Sequence, residues 1–170
     1  EMIEQLPYLW NILESMDIPL LEEPGFEADD IIGTLATKAS KKGLDVFIVS
    51  GDKDFMQLIN DKIFLYAPSG RQADIKIYDR EGVIEKWGVP PEKIIDLLGL
   101  MGDSSDNVPG VLGVGEKTAV KLINEYGSLE SSLDNANHVK NKRAREGLLN
   151  SKENAILSKE LVTIETQMDL

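Results

Sequence analysis

This chain is organised around the stretch Gly102-Asp103-Ser104-Ser105-Asp106-Asn107-Val108-Pro109-Gly110, which continues as Val111-Leu112-Gly113-Val114-Gly115-Glu116-Lys117-Thr118. Its first half carries two carboxylates, Asp103 and Asp106, on a turn rich in glycine and serine. Its second half is punctuated by glycines and runs into a helical pattern. One segment therefore offers hard oxygen ligands for a divalent cation and, directly after them, backbone amides suited to a phosphate.

The composition limits the classes of protein to which the chain can belong. Its 170 residues suffice for one domain, or for one domain with a small subdomain. Cysteine is absent, which excludes disulfides and thiolate metal sites, and no apolar run approaches membrane-spanning length. A net charge of -12 by itself argues against nucleic-acid binding. The distribution of charge matters more than the sum, because Lys140, Lys142, Arg143 and Arg145 form a local basic run.

Residues 1–79 predict an α/β core. Helical spacing of apolar residues predicts helices at 4–16 and 27–42, a short helix at 54–59, and strands at 18–21, 46–49, 63–66 and 75–78. The run from Val46 to Val49 is apolar and bounded by glycines, which is typical of a parallel strand buried on both faces. Pro68-Ser69-Gly70 predicts a turn. The alternation of helices and strands indicates a mostly parallel sheet.

Residues 80–170 predict a helical subdomain. Helices are expected at 82–87, 91–100, 117–126, 128–133 and 152–163, with a loop flanking a short helix at 135–150. No strand pattern is convincing beyond Arg80, so we place the boundary between 79 and 80, without a flexible hinge. The single histidine, His138, lies in a polar stretch and is expected to be exposed and not catalytic.

Three short segments carry acidic residues. Glu27-Ala28-Asp29-Asp30 opens a helix, Gly51-Asp52-Lys53-Asp54 follows the 46–49 strand, and Asp103 with Asp106 lies on the turn. Each has a plain structural explanation, namely a helix dipole, an N-cap and turn chemistry. Ligands of open α/β sheets, however, bind beyond the carboxyl ends of strands. Acidic segments that converge there would need Mg²⁺ or Mn²⁺ as counter-ion, and paired cations suggest phosphodiester hydrolysis.

The glycine-punctuated segment is not a P-loop, because Glu116 separates the last glycine from Lys117. We interpret it as a helix-hairpin-helix element, although a tight connection between two packed helices is an alternative. In the first interpretation the following helix presents free N–H groups to a phosphate, with no group able to read bases. The candidate DNA-binding residues are Gly110, Gly113, Val114, Gly115, Lys117 and Thr118.

These motifs together resemble a known family. The residues that carry the resemblance are Gly25-Phe26-Glu27-Ala28-Asp29-Asp30, Gly51-Asp52-Lys53-Asp54, Gly102-Asp103-Ser104-Ser105-Asp106-Asn107 and Pro109-Gly110-Val111-Leu112-Gly113-Val114-Gly115-Glu116-Lys117-Thr118-Ala119. They are similar to the 5′ nuclease domains of bacterial DNA polymerase I, which are relatives of flap endonucleases. The resemblance covers essentially the whole chain. It implies a PIN-like core, a helical C-terminal part, and metal-dependent cleavage of 5′ flaps and 5′ ends of duplex DNA in replication and repair. It also implies a bacterial cytoplasmic protein associated with the nucleoid.

The resemblance assigns roles to individual residues. It implies catalytic roles for Asp30, Asp52, Asp54, Asp103 and Asp106. The metal ligands that it implies are Glu27, Asp29, Asp30, Asp52, Asp54, Asp103 and Asp106. It further implies a potassium ion held at the hairpin by the backbone carbonyls of Val111 and Val114.

One feature of the family has no counterpart in this sequence. The family carries an N-terminal segment with a strand aspartate, a further aspartate and a basic helical arch, whereas this chain begins at Glu1 within an apparent helix. We therefore expect a piece of a longer nuclease that cleaves DNA poorly or not at all by itself and self-associates through an open sheet edge. The alternative function is an inactive module that binds duplex DNA through the hairpin.

Overall fold

The computed structural model describes residues 2–69 and 74–170. The helices are α1 Met2–Ser15, α2 Ala28–Lys41, α3 Arg80–Trp87, α4 Ile94–Met101, α5 Glu116–Tyr126, α6 Leu129–Asp134, α7 Lys142–Asn150 and α8 Lys152–Leu161. The strands are β1 Val46–Val49, β2 Ile63–Ser69 and β3 Asp74–Tyr78, and 3₁₀ turns occupy Asp54–Leu58, Pro91–Lys93 and Ala136–His138. Among these elements, no helix combines the length and the hydrophobicity that crossing a membrane requires.

The three strands form one sheet in the order β1-β2-β3. β1 runs parallel to β2, with Val46 opposite Ile63, and β2 runs antiparallel to β3. Ile48 and Leu65 point into the core, whereas Phe47 is 55% and Val49 69% exposed. The expectation that β1 is buried on both faces is therefore wrong. Its second face is exposed because no described element covers it.

The N-terminal part differs from the prediction in a related way. Residues 18–21, expected as a strand, form no strand. No described strand pairs with them, and an unpaired strand has no ladder of hydrogen bonds to stabilise it. The helix before them forms as predicted, but its apolar side chains are largely exposed, including Ile3 at 79% and Tyr8 at 71%. In the predicted turn, Pro68 and Ser69 belong to β2, and Gly70 lies outside the described residues.

The helical part is organised around α4, which is one of the most buried elements of the structure. Its side chains Leu97, Leu98 and Leu100 are at most 1% exposed, and α4 packs against α5, α6 and α8. The same hydrophobic core continues into the α/β part through Val83 and Phe55. As predicted, no strand follows residue 80 in the described residues. The chain from residue 80 onward therefore shares one hydrophobic core with the α/β part, as expected for two parts without a flexible hinge between them.

The C-terminal segment 162–170 returns across the α/β part. The Gln57 amide donates to the Val162 carbonyl (2.8 Å) and accepts from the Ile164 N–H (3.0 Å). The Lys38 ammonium on α2 donates to the Met168 carbonyl at 3.0 Å. These bonds join the 3₁₀ turn Asp54–Leu58 and the last turn of α2 to the chain that follows α8.

Replacing Gly147 by alanine should destabilise the protein, although alanine favours a helix interior by about 1 kcal/mol. A Cβ on Gly147, in α7, would lie 2.0 Å from the carbonyl oxygen of Leu112 in the hairpin. We expect a loss of roughly 2 kcal/mol in the free energy of unfolding, measured by urea titration. Gly82→Ala in α3 is the control, because its nearest neighbour is the Asp79 side chain at 3.2 Å. Equal stabilities of the two variants would contradict this packing.

Candidate metal centre and nucleic-acid interface

The first acidic segment of the site follows β1 directly. The Asp52 N–H donates to the Ser50 hydroxyl oxygen at 3.0 Å, and the Asp54 N–H donates to Asp52 Oδ1 at 2.9 Å. Asp52 thus makes a side-chain turn contact two residues along the chain, whereas the N-cap of the 3₁₀ turn Asp54–Leu58 is Lys53, and this contact turns the chain at the carboxyl end of the strand. The turn places the Asp54 side chain, which is 16% exposed, against the helical part.

The second segment is the tight loop from residue 102 to residue 110. The Asp103 N–H donates to the Val108 carbonyl (3.0 Å), and the Val108 N–H donates back to Asp103 (2.7 Å). Gly102 and Gly110 have φ values of 71° and 61°, and a Cβ on Gly110 would lie 2.4 Å from the Gly102 nitrogen. Only glycine permits this close backbone approach, which closes the loop.

The third segment begins α2. Asp30 Oδ2 accepts from the Glu27 N–H at 3.2 Å, as the returning half of a capping box does. Asp30 Oδ1 accepts from the Glu165 N–H at 2.9 Å. Both carboxylate oxygens of Asp30 are therefore engaged with backbone amides, and they connect the start of α2 to the C-terminal segment.

The three segments meet in one cleft. One carboxylate oxygen from each of Asp54, Asp103 and Asp106 lies within 4.8 Å of the other two. The surrounding cavity is lined by Gly25, Glu27, Asp29, Asp30, Asp52, Asp54, Asp106, Val108 and residues 160–164. The fold thus gathers all seven acidic residues named from the sequence around one place.

Two further charged residues of the cleft had no role in the sequence analysis. Glu160 lines the cavity from the C-terminal turn of α8, where no pattern distinguished it from an ordinary exposed helix residue. The Lys53 ammonium donates a hydrogen bond to Asp103 Oδ2 and lies 3.7 Å from Asp54 Oδ1. Its position between two aspartates of one motif was a possible signal for such a contact.

Burial and neighbouring charges shift the pKa values of several carboxyl groups in the cleft. Burial, reinforced by Asp52, Asp103 and Asp106 and opposed by Lys53, raises the pKa of Asp54 to about 6. Burial and the nearby Asp52 likewise raise the pKa of Asp29. The hydrogen bond from Lys53 lowers the pKa of Asp103. The buried Oδ1 of Asp54 has no hydrogen-bond partner among the described residues, and the Lys53 ammonium lies 3.7 Å from it.

The hairpin lies between α4 and α5. The Val114 N–H donates to the Val111 carbonyl at 3.0 Å, and Gly113 within this turn has a φ of 86°. Leu112 at its tip is 78% exposed. The N-cap of α5 is Gly115, so no side chain satisfies the first amides of that helix. Lys117 is exposed in the first turn.

One residue of the basic run packs beside this hairpin. A Cβ on Gly113 would lie 2.6 Å from Cγ of Arg143, which places this arginine stem directly against the turn. Arg145 instead donates to the Val139 carbonyl at 2.9 Å, and Lys142 lies 3.9 Å from Glu146. Arg143 is exposed and therefore adds a positive charge to the hairpin surface, whereas His138 is exposed within a 3₁₀ turn, as expected.

Asp54→Asn should remove a pH dependence from the free energy of unfolding of the metal-free protein. A carboxyl with a raised pKa holds its proton more tightly in the folded state, so folding loses stability as pH rises from about 4 to about 6. In a chelator near pH 7, the variant should be more stable than wild type by on the order of 1 to 2 kcal/mol. Urea unfolding from about pH 4 to 7 measures this difference, with the 73% exposed Asp134→Asn as control. Parallel pH profiles for wild type and Asp54→Asn would be the contrary result.

Two family models match this chain end to end. Residues 1–88 match "5'-3' exonuclease, N-terminal resolvase-like domain", and residues 89–170 match "5'-3' exonuclease, C-terminal SAM fold". DNA polymerase I of Bacillus subtilis is 48% identical over 166 residues, covering 98% of this chain and 19% of that protein. A 5'-3' exonuclease of Aquifex aeolicus is 44% identical over 166 residues, covering 98% of this chain and 55% of that protein. The chain thus spans about one fifth of the first relative and about half of the second.

Solved structures agree with these matches. T5 5′-exonuclease with bound zinc has a TM-score of 0.82 and 26% identity, over 95% of this chain and 59% of that chain. The T5 D15 flap endonuclease in complex with DNA and metal ions has a TM-score of 0.82 and 25% identity, over 96% of this chain and 59% of that one. The predicted PIN-like α/β core and helical C-terminal part are confirmed, and the chain belongs to the 5'-3' exonuclease family.

Proposed function

We propose that this chain is part of a divalent-metal-dependent, structure-specific 5′ nuclease of the DNA polymerase I type. It would hydrolyse phosphodiester bonds at 5′ flaps and 5′ ends during replication and repair. The observation that carries this proposal is the meeting of Asp54, Asp103 and Asp106 within 4.8 Å at the carboxyl end of β1. A purely structural protein gains nothing from three carboxylates held so close together, because their charges repel.

The donor set fits Mg²⁺ or Mn²⁺. All candidate ligands are carboxylates, which hard divalent cations prefer, and the described part of the chain offers no cysteine or histidine in the cleft. The unpartnered Oδ1 of Asp54 is a buried ligand atom without a protein donor. Asp54, Asp103 and Asp106 are the proposed inner ligands of one cation. Asp52, Asp29, Asp30 and Glu27, which line the same cleft, are the proposed ligands of a second.

The residues of this chain contribute position and charge to the reaction. When bound, two divalent cations supply Lewis-acid activation of water and neutralisation of charge at the phosphate. The loop 102–110 orients Asp103 and Asp106, and the turn after β1 orients Asp54. Asp30 keeps the α2 carboxylates at the cleft through its bonds to Glu27 and Glu165. The polar cleft is open at its mouth, where a phosphodiester would enter.

The hairpin is the proposed contact to duplex DNA. The uncapped amides of α5, together with Lys117 and Arg143, present positive charge and N–H donors suited to phosphate oxygens. Gly110, Gly113, Val114, Gly115 and Thr118 complete the proposed contact surface. None of these groups is placed to read a base edge, so binding is proposed to be independent of sequence.

The second candidate function is an inactive module that binds duplex DNA through the hairpin. The exposed face of β1 and the exposed apolar side chains of α1 favour it, because an α/β core with uncovered apolar surface positions catalytic groups less rigidly. The two functions differ in one measurable respect. A nuclease needs the carboxylate cluster, whereas a clamp does not.

We propose a potassium ion at the carbonyls of Val111 and Val114, a domain boundary at 79/80, and a bacterial cytoplasmic location at the nucleoid. Self-association through β1 is supported by the exposure of Phe47 and Val49 on an edge strand, since such edges pair with other chains.

A 5′-flap cleavage assay distinguishes the two candidate functions. We expect slow cleavage of a flap substrate by this chain that depends on Mg²⁺ or Mn²⁺ and stops with chelator. Asp103→Asn should lower the rate by at least about 100-fold, since even groups that only orient metal ligands are worth about 10- to 100-fold. Asp134→Asn, an exposed change of the same charge, should leave the rate unaltered. Metal-independent cleavage, or binding of the flap without cleavage, would refute the nuclease assignment for this chain.

Lys117→Glu should weaken binding to duplex DNA equally for every sequence tested. A lysine that contacts phosphate contributes charge without base recognition, and its loss should reduce the slope of log affinity against log salt by about 1. Fluorescence anisotropy with two unrelated duplexes over a salt series measures both effects. Lys41→Glu, at the end of α2, makes the same charge change away from the hairpin. An effect of equal size in both variants would reject the hairpin as the binding surface.

A further inference from the structure

The acidic cleft contains its own cation. The Lys53 side chain is 28% exposed, and its ammonium donates to Asp103, whose side chain is only 6% exposed. The same ammonium lies 3.7 Å from Asp54 Oδ1. Lys53 thus stands beside two of the three carboxylates whose oxygens converge.

The hydrogen bonds of Asp103 and Asp54 differ. Asp103 Oδ1 accepts from the Ser105 N–H at 2.8 Å, and Asp103 Oδ2 accepts from Lys53. Asp54 Oδ1 accepts from no described donor. A divalent cation that binds Asp54 and Asp103 together therefore breaks no hydrogen bond at Asp54 Oδ1, whereas both oxygens of Asp103 already accept one, Oδ2 from the lysine.

We infer that Lys53 is a built-in counter-ion that keeps the carboxylates of the metal-free cleft together and is displaced from Asp103 when a divalent cation binds. The inference rests on the proposed metal-dependent function. Lys53 is a positioning residue in this account. Its ammonium offsets the repulsion between carboxylates that the fold holds close, and its long flexible stem lets it withdraw towards solvent.

Another ion pair of the chain provides a matched comparison. Lys159 is 30% exposed and contacts Asp96 at 2.7 Å, and Asp96 is 8% exposed. Burial and partner type are thus nearly equal to those of Lys53 and Asp103. Asp96 lies in α4 outside the converging carboxylates, so no cation is expected to displace Lys159.

The first test needs no substitution. Acylation of lysine amines, followed by mass spectrometry, reports how accessible each ammonium is. In chelator, Lys53 and Lys159 should both react slowly because both are bonded to buried aspartates. Addition of Mn²⁺ should raise the reactivity of Lys53 several-fold and leave that of Lys159 unchanged. Lys53 that stays protected at saturating Mn²⁺, or that reacts fast without it, overturns the inference.

The second test compares Lys53→Met with Lys159→Met by calorimetric titration with Mn²⁺. Both variants lose one positive charge, but only Lys53→Met removes the competitor for Asp103. Its affinity for Mn²⁺ should rise by about tenfold or more, as expected when a charge-assisted hydrogen bond no longer has to be broken. Its melting temperature in chelator should fall, because the carboxylates then repel without compensation.

The outcomes separate the inference from the function on which it rests. Wild type that binds no Mn²⁺ rejects the proposed metal centre and the role of Lys53 with it. If wild type binds Mn²⁺ and Lys53→Met binds it equally or more weakly, only the displacement of Lys53 from Asp103 by the cation is rejected. A tenfold gain shared by Lys159→Met also rejects it, because the effect would then be a general consequence of net charge.

Discussion

Repulsion between carboxylates held within 4.8 Å of one another is the constraint on which the rest of this structure depends. Asp54, Asp103 and Asp106 come from two segments that are distant in sequence. Their negative charges repel, and this repulsion by itself would drive the two segments apart. Two kinds of force oppose this tendency. Rigid backbone geometry keeps the segments in place, and the Lys53 ammonium supplies positive charge between them. Burial, together with the neighbouring carboxylates, raises the pKa of Asp54 to about 6, and the Lys53 ammonium opposes that shift.

The backbone restraint comes from contacts that hold the loop 102–110 against the helical part. The Gly110 N–H donates to the Ser158 hydroxyl of α8 at 2.8 Å, and the Val111 N–H donates to the Leu100 carbonyl of α4 at 2.8 Å. The same helix α8 continues into the segment that binds Asp30 through Glu165. One helix therefore supports both the loop that carries Asp103 and the start of α2. The hairpin follows that loop directly, so the proposed metal site and the proposed DNA-binding surface are only a few residues apart along the chain.

Local patterns predicted much of the fold, and the failures have a common cause. Helices α2, α5 and α8 were predicted within a few residues, because their apolar periodicity is a local property, as are the glycines that follow α2 and α5. The run at 18–21 and the second face of β1 were misjudged. Whether an apolar stretch becomes a buried strand depends on a partner strand and a covering layer. Neither the partner nor the layer can be read from the stretch itself.

For the site, the sequence alone named the residues that are proposed to carry the chemistry. The three acidic motifs and the glycine hairpin stand in the sequence as ordered patterns, and all seven acids lie around one cleft. The tertiary structure decided which oxygens approach one another, that Glu160 joins the cleft, and that Lys53 reaches Asp103 fifty positions away. These facts depend on how α4, α8 and β1 pack. Packing brings together residues that are distant along the chain, and no local pattern encodes those distances.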